Sequence, residues 1–214
     1  MPDFNRVELS ALPISVAINA LLEEHVSLKE TRGYLGASAV GHPCMRKAQF
    51  DWLCDPVHPL RLCDIFDRGH FFEAQSRQHF EEAKFKLADK DRLEFTALDG
   101  WLRGHADGIF LEGPKLPGVG YPCLWEHKAV NAKGWRNLER DGLEKTYPAY
   151  TAQISLYQQF LGVDEHPAIL TAVNADSCER LHALIPTITN APRLGLNALR
   201  RSSLLHEPAS CCRD

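Results

Sequence analysis

Cys123-Leu124-Trp125-Glu126-His127-Lys128-Ala129-Val130 is a short apolar run with an acid and an amine set two apart inside it. It follows a Gly- and Pro-rich stretch at 113–122, and a bounded apolar run of this length reads as a β-strand. Side chains alternate between the two faces of a strand, so Glu126 and Lys128 point the same way. Upstream, Gly104-His105-Ala106-Asp107-Gly108-Ile109-Phe110 reads as a second strand with one acid, Asp107, in its middle. An acid and an amine on one strand face, opposite an acid from a neighbouring strand, can hold a divalent cation and a water beside a phosphodiester. Such chemistry needs all three groups.

Working outward, strands are expected at 92–98 and 101–111, joined by Asp99-Gly100, a dipeptide that favours a type I′ hairpin turn. This hairpin would deliver Asp107. Before it, helical spacing runs from 65 to 86, with Phe66, Phe72, Phe80 and Phe85 as core candidates and Glu73 in its first half. After the Glu126 strand, helices are expected at 132–140 and 147–161. In the second of these, Gln153 and Tyr157 are four apart and share a face. Strands follow at 169–173 and 179–185, the second alternating through Leu181, Ala183 and Ile185. At the start of the chain, Ile14, Ala17, Ile18, Leu21 and Leu22 predict an amphipathic helix over 14–30. A Gly-rich turn and a helix at 46–53 come next, before Pro56 and Pro59 break the pattern. There is no internal repeat and no low-complexity stretch. One domain is expected over 1–186. Residues 187–214 form an atypical tail, expected to be poorly ordered apart from a helix at 194–205.

A chain of 214 residues with 44% hydrophobic and 24% charged residues suits one ordinary globular domain with a sizeable core. No apolar run approaches the roughly 20 residues that span a bilayer. The opening Met1-Pro2-Asp3-Phe4-Asn5-Arg6 lacks the basic and then apolar pattern of a secretory signal. The expected location is the cytoplasm, with no membrane partner. Seven scattered cysteines (Cys44, Cys54, Cys63, Cys123, Cys178, Cys211 and Cys212) form no disulfide framework and suit a reducing compartment. A net charge of −4 argues against nonspecific coating of nucleic acid, while leaving room for acids gathered at a metal. Between 128 and 145 the bases Lys128, Lys133, Arg136, Arg140 and Lys145 outnumber the acids Glu139, Asp141 and Glu144, which would help hold a phosphate backbone. A solvated helix face explains most of them equally well.

Hydrolysing a phosphodiester requires charge stabilisation at the phosphoryl oxygens and a nucleophile made from water, held in line with the leaving oxygen. Carboxylates suit this because Mg²⁺ and Mn²⁺ are hard cations that take oxygen ligands. Asp107 and Glu126 are the expected ligands, with the backbone carbonyl of His127 as a third. Lys128 would orient the water, assist its deprotonation or stabilise the transition state. An isolated E-x-K is far more often a surface strand with alternating charge. What shifts the balance is the ordered set in one chain: Glu73 after Gly69 on a helix, then Asp107, then Glu126 and Lys128, then Gln153 with Tyr157. His70, His79, His105 and His127 form no paired metal-ligand spacing, so zinc is not expected. Trp125 and Phe110 are expected in the core. Neither a phosphate-binding P-loop nor a G-x-S-x-G elbow is present.

On these motifs the chain resembles the PD-(D/E)xK nuclease superfamily. Within it the likeness is to the branch of RecB-type nuclease domains, Cas4-like proteins and YqaJ-type phage recombination exonucleases, and it covers about 31–185. Gly69 and Glu73 match the first motif, Asp107 the second, Glu126 and Lys128 the third, and Gln153-x-x-x-Tyr157 the fourth. The resemblance implies an α/β fold with a restriction-endonuclease-like core, a central mixed β-sheet flanked by helices. It implies a Mg²⁺- or Mn²⁺-dependent deoxyribonuclease, an exonuclease acting on DNA in recombination or repair, with Glu73 joining the metal ligands and a recombination protein as partner. Arg32 and Ser38 resemble residues that bind the terminal phosphate of DNA in phage-type members. Their bland reading is a Gly-rich turn with a capping serine. The alternatives are a noncatalytic DNA-binding or scaffolding relative and a Cas4-like nuclease. Ser38-x-x-Gly41-x-x-Cys44-x-Arg46 resembles the segment that brings the first cysteine of an iron–sulfur cluster. The tail offers only Cys178 and Cys211-Cys212, which is not the family's spacing, so no cluster is expected and Cys44 is read as a buried thiol.

Overall fold

A computed structural model describes residues 13–27, 33–42, 44, 46–47, 50 and 59–187. Arg32, the tail at 188–214 with its expected helix, and most of the expected 46–53 helix lie outside the described residues. Arg46, Lys47 and Phe50 are helical.

The elements are helix α1 (Pro13–Ser27), strand β1 (Leu35–Gly36), helix α2 (Leu60–Glu82), β2 (Lys86–Leu87), β3 (Glu94–Ala97), β4 (Leu102–His105), β5 (Gly108–Glu112) and β6 (Cys123–Val130). Then come α3 (Ala132–Asp141), α4 (Leu143–Thr146), α5 (Pro148–Leu161), β7 (Ala168–Asn174) and β8 (Arg180–Ile185). The fold is mixed α/β. A small sheet has the order β1-β4-β3, and a larger one the order β2-β5-β6-β7-β8. In the larger sheet β6 and β7 are parallel, with Glu126 opposite Leu170 and Lys128 opposite Ala172. The other neighbours run antiparallel.

The parallel pair is covered on both faces, so β6 and β7 are buried almost throughout, and apolar apart from Glu126, His127 and Lys128 on β6 and Thr171 and Asn174 on β7. On one face Leu124, Leu170 and Ala172 pack with Trp135, Leu138, Leu143, Ile154 and Tyr157 of α3, α4 and α5, and with Leu93, Phe95 and Leu102 of the small sheet. On the other face Cys123, Trp125 and Ile169 pack with Phe110 and Phe85, under Phe80 of α2. Trp125 and Phe110 are fully buried, as expected for core residues.

Local signals set the helix ends. Asn131 caps α3, its side-chain oxygen accepting from Gly134 N–H at 2.8 Å. Pro148 begins α5, and Gly162, at φ +65°, ends it. The Asp99-Gly100 turn forms with both residues at positive φ, closed by Trp101 N–H donating to Leu98 O, as a type I′ turn requires.

Four expectations are corrected. Helix α2 begins at Leu60, because Pro59 fits just outside a helix start, and ends at Glu82 rather than 86. There Lys84 takes φ +70°, Phe85 N–H donates to Phe80 O, and the two rings meet edge to face at 5.0 Å. That is the Schellman stop with its apolar contact, made without glycine. Phe66, read as core, is exposed. Helix α1 forms, but it lies chiefly against α2 and leaves Ile14, Ile18 and Leu21 exposed. The run 101–111 is two strands in two different sheets, parted at Ala106-Asp107, and Asp107 stands at the break.

Gly104 on β4 is a close-approach position: a Cβ there would overlap Phe95 and the ring of Tyr157. Gly104→Ala is expected to cost about 1–3 kcal/mol by overpacking, read as a lower thermal midpoint. A midpoint equal to the parent's would mean that both rings give way freely.

Candidate active site

Strand β6 carries Glu126 and Lys128 side by side on the α5 face, and Lys128 Nζ donates to Glu126 Oε1 at 2.6 Å. Glu126 is 1% exposed and Lys128 19%. A carboxylate that deep in a sheet is costly unless paired, and the pairing satisfies only one of its oxygens. Glu126 Oε2 is buried with no partner among the described residues.

Asp107 reaches the pair from the sheet break. Its Oδ2 accepts from the main-chain N–H of His127 at 2.6 Å, and its main-chain oxygen accepts from Arg77 of α2. Glu73, one turn before Arg77 on α2, has Oε2 3.6 Å from His70 Nδ1. On the opposite side, α5 presents Tyr150, Gln153 and Tyr157. Lys128 Nζ sits 4.9 Å from the Tyr150 ring centroid, and Gln153 Nε2 donates to the Tyr157 hydroxyl at 3.0 Å. The expected set of Glu73, Asp107, Glu126, Lys128, Gln153 and Tyr157 thus converges from three elements, α2, β6 and α5, and the sheet break.

The electrostatics follow from burial. Desolvation first, and Asp107 second, push the Glu126 carboxyl up to about 8, against the pull of Lys128. Burial likewise raises Asp107, opposed by Lys128, the His127 N–H, His105 and Arg77. Glu73 is raised by burial and then by Asp107. Burial works against the charge on Lys128, but Glu126 and Asp107 more than offset it, so its ammonium is held more firmly than an ordinary lysine's. Tyr157 is pushed up to about 12 by burial and by Glu126. Three acids, of which Asp107 raises the other two and Glu126 keeps an orphaned oxygen among the described residues, form a site short of positive charge.

Those oxygens fit a hard divalent cation. Among the described residues no group of three or more His, Cys, Asp or Glu side chains is gathered closely enough to cage a metal. Two carboxylates and the main-chain carbonyl of His127, completed by water, suit Mg²⁺ and Mn²⁺ better than a zinc cage, because Mg²⁺ keeps much of its hydration. The His127 ring points to the other face of β6, where burial drops it to about 4 and its Nε2 has no partner among the described residues.

Ser38 is exposed on the 3-10 turn Ala37–Ala39, which packs on β4 and α5, the same side of the sheet as Lys128. Cys44 is corrected from a buried thiol to an exposed one, its N–H donating to His42 Nδ1 at 3.0 Å. Arg140 and Lys145 both pair with Asp141, so for them the bland reading of a solvated face holds. Two residues were missed. Tyr150 is three before Gln153 and Arg77 four after Glu73, and helical spacing alone aligns each with its neighbour.

No protein-family model matches the chain, and no curated protein matches it in sequence. Among solved structures it is similar in fold to the crystal structure of SSO0001, with a TM-score of 0.52 at 14% identity, over 93% of this chain and 89% of that one. No helix among the described residues is long and apolar enough to cross a membrane.

Proposed function

We propose that this chain is a Mg²⁺- or Mn²⁺-dependent deoxyribonuclease of the PD-(D/E)xK type, with a restriction-endonuclease-like core, acting in the cytoplasm on DNA ends in recombination or repair. The observation that carries the reading is the buried Glu126–Lys128 pair beside Asp107, with Glu126 Oε2 unpartnered among the described residues.

Asp107 and Glu126, with the His127 carbonyl and water, would hold the cation, and Glu73 would accept from its water shell. When bound, it supplies Lewis-acid stabilisation of the phosphoryl oxygens and makes water easier to deprotonate. Lys128 holds its positive charge where the reacting phosphate would lie, and can donate to the attacking water or to a phosphoryl oxygen. Tyr150 keeps the ammonium from folding away. Gln153 and Tyr157 close the floor of the site behind Glu126. Lys133 and Arg136 are exposed on α3, directly after β6, and suit a backbone-phosphate contact.

The test is hydrolysis of end-labelled linear and closed circular DNA with Mg²⁺, Mn²⁺ or EDTA. Labelled ends are expected to be released from linear DNA with either metal and from neither substrate with EDTA, and Asp107→Asn is expected to lower the rate at least about 100-fold. Binding to DNA without metal and without cleavage would instead favour the noncatalytic relative.

A further inference from the structure

We infer that Arg77 is the residue that positions Asp107, fastening the main chain at the break between the two sheets so that its carboxylate stays at the Glu126–Lys128 pair. The inference rests on the nuclease reading above.

Asp107 belongs to neither β4 nor β5, so its place is not fixed by being inside a strand ladder. It is held instead from two directions. Its Oδ2 accepts from His127 N–H at 2.6 Å, and its main-chain oxygen accepts from Arg77 Nη2. The guanidinium of Arg77 lies over the indole of Trp125, 5.4 Å from the ring centroid. That ring is held on several sides: it is fully buried, its Nε1 donates to Thr171 Oγ1 at 2.9 Å, and Phe80 meets it edge to face at 5.4 Å. A planar cation on a fixed ring has few orientations left, so its donors are aimed before any ligand arrives. Gly108 completes the arrangement, since a Cβ there would stand 2.7 Å from Trp125 Cε3. The Asp107–Gly108 peptide therefore runs against the same ring that Arg77 covers. Arg77 also stands one helical turn after Glu73, so α2 ties both acids to one scaffold. A lysine at 77 would keep the charge but lose the planar guanidinium that lies over the indole while Nη2 donates to Asp107 O.

The experiment compares the full chain with Arg77→Lys and Arg77→Met. It reads Mn²⁺ binding by electron paramagnetic resonance without DNA, and separately kcat and KM for DNA across a Mg²⁺ titration. Residues that orient a metal ligand typically change metal affinity or activity by about 10–100-fold when replaced. Arg77→Met is expected to weaken Mn²⁺ binding by that factor and to raise the half-saturating Mg²⁺ in parallel, with KM for DNA changed less than about twofold. Arg77→Lys, melting close to the parent, is expected to lose nearly as much Mn²⁺ affinity. Unchanged Mn²⁺ binding in either variant overturns the inference, and so does a raised KM for DNA with metal affinity intact, the mark of a phosphate contact. If Arg77→Met fails to fold, Arg77→Lys decides. Failure of the nuclease reading is seen separately, as an unsubstituted protein that neither binds Mn²⁺ nor cleaves DNA.

Discussion

Replacing Lys128 with methionine is expected to slow DNA hydrolysis by about 10²–10³-fold, the range seen when a donor aimed at developing charge is removed. The lysine is nearly buried, paired with Glu126 at 2.6 Å and set against the Tyr150 ring, so its charge acts where water screens it little. The same substitution strands Glu126. Breaking a buried pair commonly costs about 3–5 kcal/mol, because a charge is left uncompensated. Here the loss is eased, since a carboxyl already raised to about 8 can take up a proton. The double variant Glu126→Gln with Lys128→Met replaces the pair by neutral groups and is expected to melt closer to the parent than Lys128→Met alone. Its rate should be no lower than that of the worse single variant, since the two residues act as a unit. A Lys128→Met protein that is folded and hydrolyses DNA within about threefold of the parent would remove Lys128 from the chemistry.

What could be read beforehand was whatever has a local cause. Strand β6 was legible from end to end because a loop of Gly and Pro precedes it and Asn131 caps the helix after it. The alternation that puts Glu126 and Lys128 on one face needs no knowledge of the neighbours. The start of α5 at Pro148 and the Asp99-Gly100 turn have equally local signals. The break at Asp107 has none, because Leu102–His105 and Gly108–Glu112 look alike as strands and only their partners, β3 and β6, tell them apart. The end of α2 was hidden for a related reason. Lys84 at positive φ carries no sequence mark, and the contact that fixes it joins Phe80 to Phe85 only once the turn exists. In α1, periodicity revealed which face is apolar but not that Ile14 and Ile18 would stay exposed. The site shows the same division. The acids and the lysine were legible as types at a spacing, while the roles of Arg77 and Tyr150 depend on which rings and carbonyls the fold brings beside them.

Binding of Mg²⁺ is expected to tighten by about tenfold for each unit of pH between pH 6.5 and 8 and then to level off, because a ligand must shed its proton to bind a cation. Glu126 sets that range, since its carboxyl in the metal-free protein sits at about 8 against an ordinary 4.5. The folded chain therefore keeps a proton that the unfolded chain has lost. The stability this group contributes is full below about 4.5 and declines as pH rises to about 8. His127 has the opposite sign. Its folded value near 4 lies below the ordinary 6.5, so its contribution is complete above 6.5 and is lost as pH falls toward 4. Between 4.5 and 6.5 the two oppose each other. Lys128, raised above its ordinary 10.5, stays charged in both states and adds no slope in this window. From pH 6.5 to 8 Glu126 acts without His127, so the melting midpoint in EDTA is expected to fall across that interval. Saturating Mg²⁺ should reduce or reverse the fall, since binding to the folded state alone raises stability more as the site deprotonates. Glu126→Gln should flatten the EDTA slope and abolish the Mg²⁺ effect together. A slope that survives in Glu126→Gln would mean that the proton belongs to another group, Asp107 or Glu73, and that the cation is held chiefly from the side of α2.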